Sequence, residues 1–104
     1  MEQNYVLQGA CLYVRMPAEL DHETGEEVKQ TTDKIMAENH VKKIVFDFGD
    51  TVFMDSSGIG MIMSRYRALG MRKNCVEVCK ANERIRKILC LSGMHKIIAM
   101  SETY

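Results

Sequence analysis

The stretch from residue 41 to residue 70 constrains the fold most, because it places a strand directly before an amphipathic helix. Residues 41–48 are mostly apolar, as in a buried strand, and a turn follows at residues 49–51. From residue 56 the apolar positions recur at helical spacing, which predicts a helix over residues 56–70. These positions are Ile59, Ile62, Met63, Tyr66 and Leu69.

The N-terminal part of the chain predicts a hairpin followed by a helix. Residues 4–8 and 11–17 are typical of two strands joined at residues 9–10, and Pro17 ends the second because it has no backbone donor. Asp21 is then a plausible N-cap for a polar helix over about residues 22–39. Its apolar face is narrow, so we expect one side to pack and the other to face water.

The C-terminal part continues the alternation of strand and helix. Residues 75–79 predict a strand, Asn82 caps a further helix, Gly93 ends it, and residues 96–99 predict a last strand. We expect four residues of that helix to point inward: Ile85, Ile88, Leu89 and Leu91. The order ββαβαβαβ predicts a single α/β domain over residues 1–104, with a mixed, mostly parallel sheet covered by helices.

Residues 55–60 form the candidate functional site, since they stand where the strand ends and the helix begins. Ser56 and Ser57 lie at a helix N-terminus, where unpaired N–H groups and the helix dipole stabilise negative charge such as a phosphate. Asp55 either caps the helix or orients the Ser57 hydroxyl. Gly58 and Gly60 remove side chains, so that another protein's backbone or a nucleotide can approach, and Ile59 anchors the turn to the core.

Composition excludes several classes of function. The chain has 14 basic and 14 acidic residues, so it lacks the positive charge expected of a nucleic-acid-binding protein. It has no apolar stretch of membrane-spanning length and no apolar signal sequence, so we expect a cytoplasmic protein. The four cysteines, at positions 11, 75, 79 and 90, form no CxxC pair, and core packing is favoured over a metal or redox site.

Residues 53–60 resemble the signature of the STAS domain family, in particular its anti-sigma factor antagonists. Further similar segments occur in the same order along the chain, at residues 9–15, 19–22, 65–66 and 91–98. The resemblance implies that Ser57 is the phosphorylated residue and that Ser56 helps to cap the helix. It also implies that Asp21 and His22, before the first helix, lie near the serine and contact the partner, although Asp21 as a simple N-cap is an equal alternative.

The resemblance also implies a function in binding rather than catalysis, with no cofactor. The unphosphorylated chain would bind an anti-sigma factor that is itself a serine kinase and so release a sigma factor. Phosphorylation of Ser57 would end that binding, and a phosphoserine phosphatase would restore it. We expect a monomer when the chain is free, without direct binding to nucleic acid or membrane. The sequence departs from the family pattern at residues 71–74 and in a short C-terminal end.

Three other functions compete with this interpretation. A serine enzyme would need a base, yet no motif ties His22, His40 or His95 to Ser57, and no Gly-x-Ser-x-Gly elbow is present. A STAS component of a transporter or of another signalling scaffold would be expected to carry further domains. A nucleotide-binding module is the third, but the chain has no Gly-x4-Gly-Lys phosphate loop.

Overall fold

The structure, a computed structural model, describes residues 4–101. Its strands and helices alternate as the sequence predicts. In chain order they are β1 (Tyr5–Gln8), β2 (Cys11–Arg15), β3 (Glu19–Leu20), α1 (His22–Glu38), β4 (Lys43–Asp47), β5 (Phe53–Met54), α2 (Ser56–Ala68), β6 (Val76–Cys79), α3 (Glu83–Leu91) and β7 (Ala99–Ser101).

The main sheet has five strands in the order β1-β2-β4-β6-β7. The β1–β2 hairpin is antiparallel, with Val6 opposite Tyr13, and the remaining three pairings are parallel. Helices α1, α2 and α3 make the crossover connections between the parallel strands. The single α/β domain and its mixed, mostly parallel sheet are therefore confirmed.

The hydrophobic core lies between the helices and one face of the sheet. Alternate strand residues such as Val14, Phe46 and Val78 meet the inner faces of the helices, represented by Ile62 and Leu89, in one cluster of buried side chains. Burial of this apolar area is the main force that holds the helices on the sheet. None of the helices in residues 4–101 combines the length and the apolar character needed to cross a membrane.

A second, two-stranded sheet positions the two segments that precede α1 and α2. Strands β3 and β5 pair in parallel, with Glu19 opposite Phe53 and Leu20 opposite Met54. One residue further on, the Asp55 N–H donates to the Leu20 carbonyl oxygen at 3.2 Å. Helices α1 and α2 therefore start side by side, and the pairing of β3 with β5 that causes this was not predicted from the sequence.

The predicted last strand is present, but it begins later than the predicted residues 96–99. Gly93 has a φ of 84°, and residues Met94–Lys96 form a short 3-10 helix instead. The N–H groups of Ile97 and Ile98 both donate to the Met94 carbonyl oxygen, so these backbone groups are satisfied locally and β7 begins only at Ala99.

The predicted Asn82 cap of α3 is confirmed, because the Asn82 side-chain oxygen accepts a hydrogen bond from the Ile85 N–H at 2.9 Å. The expected burial of Leu91 and of Cys90 in this helix is wrong. Leu91 is 80% exposed rather than inward. It follows the buried Leu89 by two residues, which turns it about 200° around the helix axis. Cys90 is exposed as well, whereas Cys75 and Cys79 are buried as expected, and burial raises the pKa of the Cys79 thiol to about 11.

Candidate functional site

The N-terminus of α2 carries the two serines, and Asp55 caps it. Asp55 has an extended backbone, and its Oδ1 accepts a hydrogen bond from the Ser57 N–H at 2.8 Å. Ser56 is therefore the exposed first residue of the helix, and the cap is made by Asp55 and not by Ser56. Ser57 is half-buried, and its hydroxyl has no hydrogen-bond partner within residues 4–101.

The two glycines of the signature have different surroundings. A Cβ built on Gly58 would lie 2.6 Å from Met54 Cγ, 2.8 Å from Met54 Sδ and 3.0 Å from Leu20 Cδ2. Gly58 is buried, and only a residue without a side chain fits against Met54 and Leu20. The expectation that Gly58 gives access to a partner is therefore wrong, since this glycine serves packing inside the domain. Gly60 is exposed with no atom within 4 Å of the same position, and Ile59 between them packs against the core as expected.

Asp21 caps α1 through a reciprocal pair of hydrogen bonds. Its Oδ1 accepts from the Thr24 N–H at 3.0 Å, and the Thr24 hydroxyl oxygen accepts from the Asp21 N–H at 3.0 Å. The hydrogen bond from the Thr24 backbone, followed by that from its side chain, lowers the pKa of the Asp21 carboxyl. The capping interpretation of Asp21 is confirmed.

A shallow groove of about 220 Å³ separates the first turns of α1 and α2. Its α2 wall includes Ser57, Gly60 and Ser64, and its α1 wall includes His22 and Lys29. The structure therefore brings His22 to the same groove as Ser57, whereas Asp21 is not among the lining residues. Glu26 and Lys29, which also line this groove, were not predicted, because only helix packing places them beside the serine.

A buried arginine joins the two helices beyond the groove. Arg65 of α2 is only 3% exposed, and its Nη1 lies 2.6 Å from Asp33 Oδ1 of α1 and donates to the Thr32 hydroxyl oxygen at 3.2 Å. Burial alone would raise the pKa of the Asp33 carboxyl, but the hydrogen bond and charge of Arg65 outweigh burial and lower it. This ion pair links α1 to α2 close to the groove.

Two apolar side chains next to the site face solvent. Val52 is 64% exposed and Phe53 is 44% exposed. They directly precede Met54 and the capping Asp55, at a position where the sequence predicts only an apolar pair after the strand. Val52 and Phe53 are therefore candidates for contact with another protein.

The remaining cavities and side-chain clusters do not add to this site. A larger groove of about 840 Å³ lies between α1 and the end of β2, and none of the predicted site residues lines it. In the part of the chain that the structure describes, no three His, Cys, Asp or Glu side chains are arranged to hold a metal ion. Nor does a hydrogen bond join His22 to Ser57 there, as a nucleophile and its base require.

A known class of domain combines this fold with a serine pair at a capped helix N-terminus and the start of another helix beside it. The STAS domain family profile matches residues 3–104, so the chain belongs to the STAS domain family.

Two relatives share the name "Anti-sigma F factor antagonist". The one from Paenibacillus polymyxa is 34% identical over 87 residues, which is 84% of this chain and 74% of that protein. The one from Lysinibacillus sphaericus is 27% identical over 81 residues, which is 78% of this chain and 69% of that protein.

Solved structures share the fold. The anti-sigma factor antagonist SpoIIAA in its unphosphorylated form aligns with a TM-score of 0.80 and 24% identity, over 91% of this chain and 83% of that chain. The phosphorylated form of the Bacillus cell fate determinant SpoIIAA aligns with a TM-score of 0.71 and 24% identity, over 91% of this chain and 86% of that one.

Proposed function

We propose that this protein is an anti-sigma factor antagonist that acts by binding and is switched by phosphorylation of Ser57. In this proposal the unphosphorylated chain binds an anti-sigma factor serine kinase and thereby releases a sigma factor. Phosphorylation of Ser57 by that kinase ends the binding, and a phosphoserine phosphatase restores it. The observation that carries the proposal is the position of Ser57, which is half-buried at a capped helix N-terminus and lines a groove between α1 and α2.

The capped helix start supports the expectation that the fold tolerates the phosphate. A phosphoserine carries about −1.5 to −2 charges, and the N-terminal end of a helix favours negative charge. The Asp55 carboxylate already accepts a hydrogen bond from the Ser57 N–H at this helix end. The phosphate is therefore attracted by the helix N-terminus and repelled by the Asp55 carboxylate. SpoIIAA has been solved in both forms, and both align with this chain, which supports a fold that is unchanged in outline.

The exposed surface around Ser57 supports a switch that acts on binding. Ser56 and Gly60 are exposed on the same helix start as Ser57, and Val52 and Phe53 are exposed a few residues before it in the chain. We assign these four residues to the partner surface. A phosphate at its centre must be desolvated when the partner docks, and an acidic partner surface would repel it. A loss of about 3 to 4 kcal/mol lowers the affinity by a factor on the order of several hundred.

The test combines the purified chain with the anti-sigma factor kinase of the same organism and ATP. Mass spectrometry should find phosphate on Ser57, and the Ser57→Ala variant should remain unmodified. Ser57→Asp should lower the affinity for the kinase by at least about a hundredfold while its thermal stability stays nearly unchanged. Ser57→Ala should keep the affinity of the unsubstituted protein. Modification of Ser56 instead, or equal binding by both variants, would contradict the proposal.

The same preparation distinguishes this function from a serine hydrolase. A serine-directed covalent probe should leave Ser57 unlabelled, because His22 lines the groove without a hydrogen bond to Ser57 within the described residues. Stoichiometric labelling of Ser57 together with substrate turnover would favour the enzyme instead.

A further inference from the structure

Helices α1 and α2 lie side by side and run in the same direction. Near their starts, a Cβ built on Gly25 would lie 4.0 Å from the Ser57 carbonyl oxygen. Further along both helices, Asp33 pairs with Arg65. Lys29 lies four residues after Gly25 and four before Asp33, so it is on the same side of α1 and about 6 Å along the axis from each.

The present partner of Lys29 holds it weakly. Its Nζ lies 3.6 Å from Asp33 Oδ2, and both side chains are partly exposed, so solvent screens the attraction. The other oxygen of Asp33 lies 2.6 Å from Arg65 Nη1, which is buried. Asp33 therefore keeps a cationic partner if Lys29 moves away.

We propose that Lys29 binds the phosphate on Ser57 across the groove, exchanging Asp33 for the phosphate oxygens. This inference rests on the proposed function, because it takes Ser57 to be the modified residue. Lys29 and Ser57 line the same groove, and a phosphate with up to two charges and three acceptor oxygens attracts an ammonium more strongly than a half-exposed carboxylate does.

Lys29 is well suited to this role among the residues that line the groove. Glu26 is acidic and opposes the phosphate, and His22 stands at the first position of α1. The lysine side chain is long and flexible, so it can turn from Asp33 toward Ser57 without a shift of the backbone. The phosphorylated serine would then be tied to α1, and the charge of Lys29 would be withdrawn from the surface that meets the partner.

The test uses the full chain with phosphoserine incorporated at position 57 during translation, so no kinase is needed. The second pKa of the phosphoserine is measured by ³¹P NMR titration in the unsubstituted protein, in Lys29→Gln and in Lys34→Gln. Lys34 is a matched control, because it is an exposed lysine of the same helix that lines the other groove. Both variants remove one positive charge, and thermal melts of the unmodified chains confirm that each is folded.

We expect the phosphoserine pKa in Lys29→Gln to be higher by about half a pH unit, against a much smaller change in Lys34→Gln. Lys29→Gln should also lower the melting temperature more in the phosphorylated protein than in the unmodified one. Equal changes in the two variants, or none in either, would overturn the proposal. Failure of a kinase to modify Ser57 would instead contradict the proposed function, and this experiment does not depend on it.

Discussion

Substitution of the two signature glycines by alanine tests the assignment of one glycine to internal packing and the other to the surface. Both residues lie within α2, Ser56–Ala68, so each substitution replaces a poor helix former by a good one. The two sites differ in what the added methyl group meets. It clashes with Met54 and Leu20 at position 58 and meets nothing within 4 Å at position 60.

The expected changes in the free energy of unfolding follow from helix propensity and from the contacts of the added methyl group. Gly60→Ala should stabilise the domain by up to about 1 kcal/mol, the propensity difference between the two residues. Gly58→Ala gains a similar amount but places Cβ 2.6 Å from Met54 Cγ, and overpacking of this kind costs about 1–3 kcal/mol. The Gly58→Ala variant should therefore be less stable than Gly60→Ala by about 1–3 kcal/mol, which is at least about 4 °C in melting temperature for a domain of this size.

Thermal and urea unfolding, followed by circular dichroism, measure this difference directly. A second comparison repeats Gly58→Ala in a Met54→Ala background, where the atoms nearest to the new methyl group are gone. There the same substitution should become neutral or stabilising. If Gly58→Ala is as stable as Gly60→Ala in the natural background, the packing argument is refuted.

The remaining predictions concern the ion pair between the helices and the apolar surface. Asp33→Asn should lower the stability at pH 7 by about 1–2 kcal/mol, less than the loss of one partner from a fully buried pair, because Asp33 is half exposed. The pKa of Asp33 is lowered in the folded state, so this contribution is full above the ordinary value of 3.8 and is lost as the pH falls through the lower folded value. Urea unfolding from pH 7 to pH 3 should therefore show the two proteins converging at the acidic end, and a constant difference would contradict the assignment. Phe53→Ala should weaken capture of the anti-sigma factor kinase about tenfold or more, whereas Met71→Ala, a more exposed apolar control beyond the end of α2, should not. Equal binding by both variants, measured by calorimetry, would remove Phe53 from the partner surface.

Local patterns predicted most of the fold and the position of the serine pair. The order of strands and helices and the caps Asp21, Asp55 and Asn82 follow from side chains that act on their own backbone neighbourhood. The errors occur where local signals are weak. The strand assigned to residues 96–99 is displaced because a left-handed Gly93 starts a 3-10 helix, and Leu91 is apolar but lies on the outer side of α3.

The sequence by itself determined that Ser57 stands at a capped helix N-terminus, because capping and helical periodicity depend on residues a few positions apart. Only the tertiary structure decided what surrounds that serine. The pairing of β3 with β5 and the contact between Asp33 and Arg65 bring α1 against α2, and this packing places Glu26 and Lys29 in one groove with Ser57. It also decided that Gly58 serves packing while Gly60 faces solvent, because the buried Met54 and Leu20 side chains lie against Gly58 and no atom lies within 4 Å of a Cβ at Gly60.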